Sequence, residues 1–85
     1  MKPRKLLEKL LTGSLNNISF RDFRQLVEAF GFTLSRVRGS HYIFNHPRVP
    51  EHVNLQEVNG KAKPYQIRQF LKLVEEYNLE LEDEP

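Results

Sequence analysis

Residues 36–47 read RVRGSHYIFNHP. Arg36 and Arg38 lead into a Gly39-Ser40 pair, and His41 follows at once. Imidazole is the side chain whose unperturbed pKa, about 6.5, lets it take or give a proton near neutrality. Guanidinium groups bind phosphate oxygens and offset charge that builds on them. A histidine set directly behind two arginines therefore suits proton transfer at a phosphodiester. RNA brings its own nucleophile to such a step. Once a base removes the 2′-hydroxyl proton, that oxygen can attack the adjacent phosphorus with neither a metal nor an enzyme nucleophile. One proton-transfer group contributes about 10²–10⁴ in rate. A single-histidine enzyme of this kind is a slow one that leans on positioning and electrostatics. The plain alternative is a solvated histidine beside a turn, with no role.

Other arrangements of reactive residues fit poorly. His41 and His46 lie five apart, so on one strand they face opposite ways, and His52 stands beyond two prolines. No Cys, Asp or Glu is spaced near them as a metal ligand, and no cofactor is expected. Ser40 directly precedes His41 and no acid is placed to orient the ring, which argues against a Ser-His-Asp triad. The segment GKAKP holds Gly60, Lys61 and Lys63 but lacks the longer glycine frame of a phosphate-binding P-loop.

The elements that must hold these residues can be read from periodicity. Residues 3–11 predict a short helix, with Leu6, Leu7, Leu10 and Leu11 on one face and Pro3 in the first turn. Gly13, Asn16 and Asn17 end it. A second helix starts at Ser19, with Asp22 in a capping arrangement. Phe20, Phe23, Leu26, Val27 and Phe30 share one face of it, and Gly31 closes it. Residues 32–38 predict a strand. Phe32 and Leu34 point one way and Val37 the other, a break in alternation that leaves room for a bulge.

Residues 41–46 predict the partner strand, with Tyr42, Phe44 and His46 on one face and His41, Ile43 and Asn45 on the other. Burying the aromatics sends His41 to the open face. Residues 47–51, PRVPE, should break the run, and a third strand is expected over 52–56 with Val53 and Leu55 inward. EVNGKAK is expected as a loop, and Pro64 opens a last helix striped by Ile67, Phe70, Leu71, Val74 and Tyr77. The order α-α-β-β-β-α predicts an α+β two-layer sandwich: helices on one face of a three-stranded antiparallel sheet, the other face bare.

Eighty-five residues suit one domain with a modest core. There is no cysteine, and no apolar run is long enough to span a bilayer. Glu8 and Lys9 interrupt the apolar start, unlike a signal peptide, so a cytoplasmic protein with no membrane partner is expected. Charge is uneven. Residues 1–72 hold all 13 Lys and Arg against five acids, a net of +8, whereas residues 73–85 carry six acids and no base. The basic body favours a phosphate-bearing partner. The acidic end, residues 80–85, is expected to be a disordered, solvated tail.

RVRGSHYIF, with FRDFRQLVEAFGF before it and GKAKP leading into YQIRQFLKLVEEY, resembles the HicA-type toxins over about residues 19–79. The resemblance implies a double-stranded-RNA-binding-like α-β-β-β-α fold and an mRNA interferase, an endoribonuclease that cuts transcripts with His41 as the catalytic histidine. It also implies a HicB-like antitoxin that masks the toxin. Arg36, Arg38, Lys61 and Lys63 are then candidates to contact RNA phosphates. Gly39 would let the strand approach the backbone, and Ser40 would bond a phosphate or orient the imidazole. The chain departs from the family pattern at Gln56 and Glu57, where Pro and His are frequent, and at Tyr65, where Gly is frequent. The helix over residues 1–14 and the acidic tail are additions to it. Two other classes remain: a non-catalytic RNA-binding module, and a protein-interaction adaptor.

Overall fold

The computed structural model describes residues 1–82. Its elements run α1 (Pro3–Leu11), α2 (Phe20–Ala29), β1 (Thr33–Arg38), β2 (His41–His46), β3 (Val49–Val58), β4 (Lys61–Ala62) and α3 (Pro64–Glu76). The strands form one antiparallel sheet in the order β1-β2-β3-β4. This is the expected α+β, double-stranded-RNA-binding-like plan with an extra N-terminal helix, but with a fourth strand.

The helices begin where their caps lie. Ser19 accepts from the Asp22 backbone N–H at 3.0 Å through Oγ, closing the first turn of α2. Pro3 and Pro64 occupy first-turn positions of α1 and α3, where a missing N–H leaves no partner unsatisfied. The α2 stripe is buried along its length. In α1, Leu6 and Leu10 are buried, but Leu11 is 68% exposed, so the buried stripe is narrower than the expected four leucines.

The core lies between the helices and the inner face of the sheet. Phe44, Val53 and Leu55 supply that face and belong to one buried cluster with Phe20, Phe23, Ile67 and Phe70. Phe70 is its hub, with ring centroids 5.5 Å from Phe23, 5.6 Å from Phe30 and 5.4 Å from Phe32. Tyr42 stacks 4.8 Å from Phe20 in a tilted pair.

Two expectations are corrected here. The segment expected as the loop EVNGKAK holds β4, because Asn59 and Gly60 take φ of 52° and 76°. Two successive left-handed residues form the primed turn that joins antiparallel strands. The third strand starts at Val49 rather than at residue 52 and contains Pro50. The ladder is irregular between Phe44 and His46, so a residue without an N–H is tolerated there. Past α3 the chain runs back against the core. Leu79 is buried, Leu81 packs on the core, and the Glu82 N–H donates to the Ala29 carbonyl at 2.6 Å. Residues 83–85 of the expected acidic tail lie outside the described residues.

Candidate nucleic-acid interface

The Gly39-Ser40 turn brings β1 and β2 together, with Arg38 paired directly to His41. Gly39 has φ +61° and Ser40 does not share it, the pattern of a II′ hairpin turn, which favours glycine at its first central position. A Cβ at Gly39 would meet nothing within 4 Å, so the backbone there is open to approach.

Strand parity alone would put Arg36 and Arg38 on the same face as Phe32 and Leu34, in the core. A bulge prevents this. The register shifts between Leu34 and Arg36: Leu34 pairs with the buried Phe44, whereas Arg36 pairs with Ile43. The extra residue, Ser35, turns the rest of the strand over. Both arginines therefore share the bare face with His41, as paired neighbours on adjacent strands do.

β3 completes this face. His41 pairs with Gln56 and Ile43 with Asn54. The His41 ring is exposed, and its Nδ1 lies 3.1 Å from Asn54 Oδ1. An amide oxygen only accepts, so in this contact Nδ1 donates, and the neutral form of the ring then has its lone pair on Nε2. The Ser40 Oγ accepts from Gln56 Nε2 at 3.3 Å. The Ser40 carbonyl accepts from the Glu57 N–H at 2.9 Å, and the Gln56 N–H donates to Oε1 of Gln66, a buried residue of α3, at 2.8 Å. The turn is thus clamped to β3, and β3 is keyed to α3.

Lys61 pairs with Val58 and precedes the buried Ala62, so it projects from the face of β4 opposite the core, and Lys63 follows as the N-cap of α3. β4 lies at the far edge of the sheet from β1. The bare face therefore carries Arg36 and Arg38 on one edge strand and Lys61 on the other. Lys63 Nζ lies 5.6 Å over the ring of Tyr65, which is 48% exposed.

Acids are directed elsewhere. Glu57 accepts from the Tyr42 hydroxyl at 3.5 Å on the inner side. Glu51 accepts from the Tyr77 hydroxyl at 2.9 Å, and this bond, with slight burial and the charges of Glu51 and Glu76, holds that phenol above its ordinary pKa. Among the described residues, no carboxylate stands among the bare-face positions of β1, β2 and β3.

His46 is set apart from this strip. It is 9% exposed, packs 4.9 Å from the Phe32 ring, and accepts from the Arg48 N–H through Nδ1 at 3.0 Å. Among the described residues no group of three or more His, Cys, Asp or Glu is gathered that could hold a metal ion. No described helix is long and apolar enough to cross a membrane.

Sequence reasoning missed Asn54, Gln56 and Gln66. Alternation with Val53 and Leu55 places Asn54 and Gln56 outward, but only the pairing with β2 puts them beside His41 and Ser40.

A small sandwich with one sheet face left bare, polar and rich in cations defines a domain of the double-stranded-RNA-binding-like class. Residues 20–75 match the model of the family described as HicA toxin of bacterial toxin-antitoxin. The chain belongs to the HicA toxin family, whose members are the toxin half of such pairs. No curated protein and no solved structure matches it.

Proposed function

We propose that this chain is a metal-independent endoribonuclease acting on mRNA in the cytoplasm, held in check by a HicB-like antitoxin. Residues 19–79 form its catalytic core, with residues 1–14 as an added helix. The observation that carries the reading is the exposed His41 ring, tied through Nδ1 to Asn54 and paired directly with Arg38 on the neighbouring strand. His41 Nε2 takes the 2′-hydroxyl proton. The 2′-oxygen attacks the adjacent phosphorus, and the bond to the 5′-oxygen breaks. The departing oxygen takes up a proton from the imidazolium or from water, leaving a cyclic phosphate and a free 5′-hydroxyl. Arg36 and Arg38 offset charge on the phosphoryl oxygens, and Lys61 and Lys63 hold the flanking strand. Gly39 gives the strand room to approach the turn. Ser40, whose Oγ accepts from Gln56 Nε2, keeps its hydroxyl proton to donate to a phosphate.

Expression of the wild type and of His41→Ala in a bacterium tests this. Growth arrest with loss of transcript integrity is expected only from the wild type, and co-expression of the cognate antitoxin should relieve it. Equal arrest by both proteins would leave a non-catalytic RNA-binding module. No effect from either, with no RNA binding in vitro, would leave a protein-interaction adaptor.

A further inference from the structure

We infer that the bare sheet face carries a second RNA subsite, built on His52 and Asn45, for a nucleotide beyond the bond that is cut. This rests on the nuclease reading above. His52 Nδ1 lies 2.5 Å from Asn45 Oδ1, and both side chains are exposed. The pair stands on the same face as His41 and Asn54, one residue past the Phe44–Val53 pair. Its chemistry repeats that of the first pair. The amide oxygen accepts from Nδ1–H, and the neutral form of the ring then has its lone pair on Nε2. A bare imidazole nitrogen accepts from a ribose 2′-hydroxyl or a base N–H, and these are the groups an RNA strand offers on an open sheet.

The separation decides between two roles. His41 faces Gln56, and His52 lies four residues along β3 from Gln56, about 13 Å of backbone at about 3.3 Å per residue. That spacing runs along the strands, so His52 is assigned to a nucleotide beyond the bond that is cut and not to its acid–base chemistry. The distance matches a strand lying along the face, roughly four nucleotides at a stacked rise of about 3.4 Å and fewer where the strand is extended. Arg36, paired with Ile43, stands on the neighbouring strand β1 at an intermediate level, beside the path a backbone phosphate would take. Stability does not account for the pair, because hydrogen bonds between groups that water reaches freely add little. His52 is thus a positioning residue that fixes where the RNA lies relative to His41.

The test uses the full chain carrying His41→Ala, so that RNA is bound without being cut. Affinity is measured for mixed-sequence RNA oligonucleotides of three and nine nucleotides. The ratio of the two affinities reports what the longer strand gains. His52→Ala and Asn45→Ala should each lower that ratio by about five- to tenfold, the worth of one or two hydrogen bonds. The double variant should be no worse than either single one, because the two side chains act as a unit. A ratio unchanged in both variants would overturn the subsite and leave the nuclease reading standing. Equal losses on the short and long RNA would overturn it too. No RNA binding at either length, before His52 is touched, would overturn the nuclease reading itself.

Discussion

Asn54 holds the His41 imidazole from the neighbouring strand, its Oδ1 3.1 Å from Nδ1. One bond selects the tautomer and aims the free nitrogen outward. Asn54→Ala should therefore lower the RNA cleavage rate by about tenfold, the worth of a positioning hydrogen bond of roughly 1.4 kcal/mol. Nitrogen NMR of the imidazole should show a mixture of tautomers where the wild type holds the Nδ1–H form. An unchanged rate with an unchanged tautomer would remove Asn54 from the mechanism.

His41→Ala should reduce cleavage by about 10²–10⁴. The ring is exposed, so the same substitution should move unfolding stability by no more than about 0.5 kcal/mol. Stopped cleavage with intact urea unfolding would separate chemistry from folding. A variant that cuts as fast as the wild type refutes the assignment.

Arg36, Arg38, Lys61 and Lys63 differ in strand but share one expected signature. Alanine at a residue that contacts a phosphate lowers the slope of log affinity against log salt by about one. Titrations of RNA binding at several salt concentrations measure it. A cation whose removal leaves the slope as it was is solvated and outside the interface.

Ser35 is the extra residue of β1, between Leu34 and Arg36. Its deletion should leave Arg36 directly after Leu34 in a regular ladder, with the same pairings and both arginines still outward. RNA affinity should therefore stay near that of the wild type. A large fall in affinity in a stable deletion variant would show that Ser35 is not the extra residue of the strand.

Phe70 joins α3 to Phe23, Phe30 and Phe32 and is 1% exposed. Phe70→Ala should cost about 3–5 kcal/mol by denaturant unfolding. In a small domain with a modest core, that approaches the whole margin of stability. A loss well under 2 kcal/mol would mean that the neighbouring rings collapse into the space.

Local signals carried much of the fold. The α2 stripe repeats with helical period behind a serine cap, and burial follows it. Alternation in β2 is as clean, so Tyr42, Phe44 and His46 turn inward and His41 outward. β4 was missed although Asn59-Gly60 is a strong turn signal, because two residues are too few to show a period.

The neighbours of His41 could not be read in this way. Asn54 lies 13 residues along the chain, and Gln66, which keys β3 to α3, bonds across a further ten from Gln56. Which strand residues face one another depends on the register, and the register on a hydrogen-bond ladder that forms together with the core. The bulge at Ser35 is the sharpest case. The residue types of β1 announce an irregular strand, but the face on which its arginines emerge is decided only when Leu34 docks on Phe44 and Arg38 pairs with His41. Composition and periodicity set the helices, the parity of β2 and the basic character of the body. Tertiary pairing set the site, because a side chain's partners across a sheet are chosen by the packing of the whole layer.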